Sequence, residues 1–195
     1  QPMFSHSKNS SIVFNGEIYN KDEIAKIIDP HSKISWKGTS DTEVLVEALE
    51  LFGTKILSHI KGMYSFVFYS NLSKKLFLIN DRFGEKPLYY SFNDNNLFFS
   101  SDIKSFNYKN RKINPLSLTY FFKDNCIPSP LTIWDDVNKI MPSEIIEIQL
   151  NFSTQKIDNI TKSKYFDSRY PYEIKNNNSL ENFVEKLDVI LTNAV

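Results

Sequence analysis

Apolar and polar positions alternate with two different periods along this chain. Ile24, Ile27 and Ile28 fall on one helical face between Asp22 and Ile28, and Asp29-Pro30 stops that run. A stronger helix is expected over residues 40–52. There Val44, Leu45, Ala48, Leu49 and Phe52 form an apolar stripe, Ser40 and Glu43 fit a capping box, and Gly53 stands at the stop. Residues 11–14 read as a short strand, Asn15-Gly16 as the turn after it, and Ile18 and Tyr19 resume the apolar pattern. Strands follow over 63–69, 76–79, 88–92 and 97–100. The polar links 71–75 and 93–96 suggest an antiparallel meander. Pro115 opens a helix through Phe122, and residues 145–150 read as one more strand. Residues 151–178 turn polar and read as a linker. Ser179 then caps a helix carrying Leu180, Phe183, Leu187, Ile190 and Leu191. The order of elements predicts an α+β fold rather than alternating βαβ units.

Composition removes several function classes. Lys and Arg total 23 and Asp and Glu total 23, so the net charge is zero; no nucleic-acid partner and no membrane-surface binding is expected. No apolar run approaches the roughly 20 residues that span a bilayer. Cys126 is the single cysteine, which leaves no disulfide framework and no cysteine zinc site within the chain. A lone thiol agrees with a reducing, cytoplasmic setting. His6, His31 and His59 show no ligand spacing, so no metal site is expected. The aromatic cluster Tyr64, Phe66, Phe68 and Tyr69 reads as core rather than as a base-stacking platform. The chain opens on Gln1-Pro2 without a start methionine, which reads as a fragment or a trimmed product.

Local motifs carry more. Phe14-Asn-Gly-Glu-Ile-Tyr-Asn20 is followed by Gly38-Thr-Ser-Asp-Thr-Glu-Val44. Then come Lys61-Gly-Met-Tyr-Ser-Phe66 and Asp81-Arg-Phe-Gly-Glu-Lys-Pro-Leu-Tyr-Tyr90. In that order and spacing they closely resemble class II glutamine amidotransferases. Ile127-Pro-Ser-Pro-Leu-Thr-Ile133 and Lys139-Ile-Met-Pro142 resemble the late portion found in asparagine synthetases. The resemblance covers about residues 1–150. Each of the five glycines (Gly16, Gly38, Gly53, Gly62 and Gly84) lies in one of these motifs or ends the helix between them.

The resemblance implies an N-terminal-nucleophile-hydrolase fold, an incomplete αββα sandwich of antiparallel sheets. It assigns 1–150 to an N-terminally truncated type 2 glutamine amidotransferase domain, 151–178 to a linker, and 179–195 to the first helix of an α-helical synthetase domain. In such enzymes the thiol of the first residue attacks the glutamine side-chain amide, and its own α-amino group acts as base. Asn15 and Gly16 would donate to the tetrahedral oxyanion from about 2.7–3.1 Å. Gly16 and Glu17 would lie beside the glutamine backbone atoms, and Asp41 would pair with the α-ammonium. Each role has a plainer competitor. Asn-Gly is a common hairpin pair, an acidic residue in a first helical turn is favoured by the dipole, and Glu17 could be a solvated strand residue. Asp81 and Arg82 read as structural, through an ion pair or turn contact. Cys126 is not the nucleophile, because that mechanism needs a free amino group on the same residue.

The expected function is therefore part of an ATP-dependent, glutamine-hydrolysing asparagine synthase. The nucleophile and the arginine that meets the glutamine carboxylate would lie upstream, and this chain alone would be inactive. No cofactor is expected in this chain, with ATP and magnesium assigned to the missing synthetase domain. Glutamine and that domain are the expected partners, and a homodimer stays open. Two alternatives are a relative amidating another carboxylate, such as a sugar acid of surface polysaccharide, and a catalytically silent paralogue or fragment. An unrelated α+β binding domain would require the motif order to be chance.

Overall fold

The structure, a computed structural model, describes residues 1–31, 33–93, 96–106, 111–154, 156–167 and 179–194. Six strands build the main sheet: β1 (Met3–Phe4), β2 (Ser10–Ile18), β3 (Gly62–Ser70), β4 (Lys75–Asn80), β8 (Glu144–Asn151) and β9 (Lys156–Lys164). They lie in the order β1-β2-β3-β4-β8-β9, with every pair antiparallel. A smaller sheet has the order β6-β5-β7, from β5 (Tyr89–Asn93), β6 (Asn96–Ser100) and β7 (Asn138–Lys139). The helices are α1 (Lys21–Ile28), α2 (Asp41–Phe52), α3 (Pro115–Asp124) and α4 (Leu180–Ala194).

Successive side chains of a strand point to opposite faces, so each strand of the main sheet feeds two cores. Ile12, Phe14, Ile18, Tyr64, Phe66, Phe68, Ile79 and Ile145 pack with Ile24, Leu45, Ala48 and Leu49 of α1 and α2. On the other face Val67, Leu78, Ile146 and Ile148 meet Leu88, Tyr90 and Ile140, which belong to the smaller sheet and its flanks. The result is helices, then sheet, then sheet. The uninterrupted apolar run of β3 follows from this, because both of its faces are covered and Tyr64 to Phe68 are all buried.

Three expectations change. The four middle strands are not one meander: β3 and β4 pair in the main sheet, whereas β5 and β6 pair in the smaller one. The loop built around the buried Asp81 carries the chain between the sheets. Asn15-Gly16 is not a turn, since β2 runs straight through it in unbroken register with β3. Part of the polar stretch after residue 150 is strand β9, paired with β8 and mostly exposed, so polar residues there are solvated rather than unstructured. The rest of that stretch, 168–178, lies outside the described residues, as do Asp94 and Asn95 of the link between β5 and β6.

Helix ends follow the sequence signals more closely. The Ser40 hydroxyl accepts from the Thr42 amide. Asn114 accepts from the Ser117 amide ahead of the helix that Pro115 opens. Gly53 closes α2 at φ 60° with its N–H on the Leu49 carbonyl. Leu180, Phe183, Leu187, Ile190 and Leu191 of α4 are exposed. Among the described residues, no helix is long and apolar enough to cross a membrane.

Candidate functional site

The outer edge of β2 is where the sheet stops being self-sufficient. β1 covers β2 only as far as Ile12. At Phe14 the side chain of Gln1 takes over, its amide nitrogen donating to the Phe14 carbonyl and its oxygen accepting from the Phe14 N–H, both at 2.7 Å. Backbone groups of alternate residues point to the same edge, so those of Gly16 and Ile18 also point outward. The register agrees: Gly16 sits opposite Tyr64, whose own N–H and carbonyl are engaged by Asp81 on the other side. The Ile18 N–H donates to Asp41 Oδ2 at 3.0 Å. Between these two anchored positions, the Gly16 N–H meets no partner among the described residues.

Gly16 is required by geometry. Its φ is +149°, and a Cβ there would lie 2.1 Å from the Met63 carbonyl oxygen and 2.6 Å from Tyr64 Cα. Gly62, paired with Ile18, is under the same constraint, with a Cβ falling 2.2 Å from the Glu17 carbonyl oxygen. The two strands approach closely at both non-hydrogen-bonded pairs, where only glycine leaves room.

That cleft is open, about 470 Å³, and its walls include Gly16, Glu17, Lys21, Thr39, Ser40 and Asp41. Asp41 is the first residue of α2, in the favourable field of the helix N-terminus. One of its carboxylate oxygens holds Ile18, and the other makes only a long contact with the Thr42 hydroxyl, 3.4 Å. A carboxylate on the cleft wall with one oxygen anchored and the other only weakly engaged suits a cationic ligand group. Glu17 is exposed on the same cleft. Asn15, on the opposite face of β2 from Phe14, lines a neighbouring hollow of about 230 Å³ with Ser65, Leu88 and Phe99. The structure thus brings Gly16, Glu17 and Asp41 to one cleft and places Asn15 next door.

The Asp81 loop is structural. Asp81 is buried, and its carboxylate accepts from the backbone N–H groups of Tyr64, Phe83, Gly84, Glu85 and Lys86 at 2.7–3.2 Å. The contact is the turn type, not an ion pair with Arg82, which donates to the Ser58 carbonyl and lies over the Phe166 ring. Cys126 is exposed beyond the end of α3.

Sequence reasoning missed the support of the cleft wall. Glu43 does not close a capping box. Its carboxylate instead accepts from the Lys37 and Gly38 N–H groups, at 2.8 and 3.0 Å, and meets His6 Nε2 at 2.8 Å. Burial pushes the Glu43 carboxyl up, but the Lys37 amide, His6 and the Gly38 amide outweigh it, and its pKa falls below the ordinary value. Lys21 Nζ donates to the Thr39 carbonyl at 2.7 Å. The signal for Glu43 was its place one turn into a helix that buries it, which a capping pattern alone does not distinguish.

The chain is an antiparallel two-sheet sandwich with helices on one face and an open strand edge beside a helix N-terminus. Solved structures agree on the fold. The glutamine phosphoribosylpyrophosphate amidotransferase of B. subtilis, complexed with ADP and GMP, superposes with a TM-score of 0.54 at 17% identity, covering 85% of this chain and 32% of that one. A structure described as the allosteric regulatory enzyme of purine biosynthesis gives 0.55 at the same identity, over 85% and 31%. The glutamine amidotransferase domain family matches residues 1–165, and the chain belongs to that family. Among curated relatives, asparagine synthetase [glutamine-hydrolyzing] 2 of Bacillus subtilis is 38% identical over 105 residues, 54% of this chain and 14% of its own length. Asparagine synthetase [glutamine-hydrolyzing] 1 of the same organism is 27% identical over 172 residues, 87% and 26%. Amidase chry2 of Gibberella zeae is 31% identical over 107 residues, 54% and 16%. The chain spans about a quarter or less of the length of these relatives.

Proposed function

We propose that the cleft between the β2 edge and the start of α2 binds glutamine, as part of a glutamine-hydrolysing asparagine synthase. The single observation that carries this is the outward Gly16 N–H set in one cleft with Asp41, a carboxylate anchored through one oxygen and only weakly engaged through the other. Asp41 takes the α-ammonium of the substrate, and Gly16 and Glu17 flank its backbone atoms. The Gly16 N–H and the Asn15 amide are the donors for the oxyanion that forms when the side-chain amide is attacked. Ammonia released there serves the amidation of aspartate to asparagine. In this reading ATP and magnesium act in the portion of the relatives that this chain does not cover, as does the nucleophile, and the protein works in the cytoplasm. Family membership and the synthetase relatives support it.

The likeness to amidases supports a second reading, in which the same glutamine site feeds another acceptor. Both readings share one test. Titration of glutamine into the 195-residue chain, followed by amide NMR, should perturb Gly16, Glu17 and Ile18 without ammonia release. Asp41→Asn should weaken binding by about 10-fold or more, the loss of one charge-assisted contact. Binding that is indifferent to Asp41, or enzyme-like ammonia release by this chain, overturns the reading.

A further inference from the structure

Thr39 and Ser40 line the cleft opposite the β2 edge, and the segment that leads into them, Lys37–Ser40, belongs to no helix or strand. Its position depends on side chains reaching in from elsewhere. Glu43, a residue only 7% exposed, supplies the buried tie, its carboxylate taking both the Lys37 and Gly38 N–H groups. His6, in the turn between β1 and β2, meets the same Glu43 oxygen that accepts from Lys37. The His6 backbone N–H in turn donates to Glu47, one helical turn further on, at 2.6 Å, and the His6 ring lies against Trp36, 6.2 Å between centroids. The β1–β2 turn, α2 and the cleft wall therefore share one buried carboxylate.

We propose that Glu43 is a positioning residue for the glutamine cleft: it holds Lys37–Gly38, and the lining residues Thr39–Ser40 that follow directly are thereby set at the right distance from Asp41 and the Gly16 edge. The proposal rests on the glutamine reading of that cleft. Glu43 touches no ligand in it. Its chemistry is that of an acceptor for three donors, a task that a carboxylate performs and a carboxamide cannot. In Glu43→Gln the side-chain NH₂ must face at least one of the Lys37 N–H, the Gly38 N–H or the His6 ring, donor against donor or at the expense of an existing bond. The wall is then released while the apolar face of α2 is unchanged.

The test titrates glutamine into the full 195-residue chain as wild type, Glu43→Gln, Asp41→Asn and Val46→Ala. Val46 is a fully buried core residue of the same helix with no polar contact to the wall. Glu43→Gln should weaken glutamine binding by about 10-fold and move the Lys37 and Gly38 amide resonances, whereas Val46→Ala lowers stability and binds as wild type. Undiminished binding by Glu43→Gln, with wild-type binding intact and lost in Asp41→Asn, overturns the positioning role alone. An equal loss in Val46→Ala also overturns it, since the effect is then only stability. Absence of binding by the wild-type chain overturns the glutamine reading and this role with it. Hydrogen exchange of the wild-type chain gives a second measurement that needs no variant: the Lys37 and Gly38 amides should be protected, and exchange at the unprotected rate overturns the tie.

Discussion

At the scale of single residues, most of the information lies where backbone and side chain compete for the same space. At Gly16 an added methyl group meets the Met63 carbonyl and Tyr64 Cα at distances no Cβ tolerates, and the positive φ strains it further. Gly16→Ala should therefore destabilise the chain by more than the roughly 1 kcal/mol of an ordinary glycine effect, and should abolish glutamine binding. Urea denaturation and the glutamine titration check the two parts separately. Glu43 gives a pH signature. Its folded pKa lies below the ordinary value, so its contribution to stability is present above the unfolded pKa near 4.5 and is lost as pH falls through the folded value. Wild type and Glu43→Gln should differ most at neutral pH and converge only once pH has fallen below the folded pKa, measured as urea midpoints against pH. Tyrosine behaves in the opposite sense. Burial raises Tyr64 to about 12 and raises Tyr165 as well; their hydroxyls meet at 2.9 Å and Tyr165 donates to the Asn80 carbonyl. A raised pKa in a group that folds neutral gives stability that is complete below about pH 10 and falls as pH rises past it. Ultraviolet titration should leave Tyr64 and Tyr165 un-ionised at pH values where exposed tyrosines have already ionised.

At the scale of elements, periodicity located nearly everything built by local pattern. The helices at 21–28, 41–52 and 115–124 and the strands at 62–70, 75–80 and 144–151 lie within a residue or two of their expected bounds. What periodicity could not supply was which strands pair. The segments 71–74 and 81–88 both join consecutive strands, yet one is a hairpin turn and the other crosses between sheets around a buried Asp81. Asn15-Gly16 carries the strongest hairpin signal in the chain, and it sits inside a strand because Gly16 is needed for close approach rather than for turning. The candidate site was legible for a similar reason: Asp41 and Gly16 stand in motifs, while Glu43 and His6 act through contacts between distant parts of the chain. Strand β9 escaped because an exposed edge strand needs no apolar alternation. Its anchor is its end, where Ser143 Oγ donates to the Phe166 carbonyl and Tyr165 reaches Tyr64 and Asn80. Cutting the chain after Asn151 removes those contacts and leaves the buried Tyr64 hydroxyl unpaired, at a cost of about 1–3 kcal/mol. Urea midpoints of chains ending at 151 and at 167 should separate accordingly, and equal midpoints would show that β9 adds nothing.

At the scale of the whole molecule, the main sheet is a partition between two cores that share its strands. Neighbouring residues on one strand serve opposite sides, as Phe66 and Val67 do, and likewise Ile145 and Ile146. Disturbing one face must therefore displace the backbone that the other face packs on. The two tryptophans stand ready as reporters: Trp36 packs against the helix-side core, and Trp134 pairs with Ile113 in the stretch that leads to β7. In Trp36→Phe protein the remaining indole reports the stretch before β7, and in Trp134→Phe protein it reports the helix-side core. Leu45→Ala empties part of the helix-side core and Ile146→Ala part of the inter-sheet core, each at about 2–5 kcal/mol. If the sheet couples the cores, either substitution shifts both indole transitions by the same amount, coincident with far-ultraviolet circular dichroism. If Leu45→Ala moves only the Trp36 signal, the helix layer melts on its own. The Asp41 side of the cleft would then be lost while the β2 edge that carries Gly16 still stood, because Asp41 belongs to α2 and Gly16 to the sheet. Coincident transitions would mean that both walls of the cleft form and disappear together, so that glutamine binding stabilises the whole sandwich rather than one layer of it.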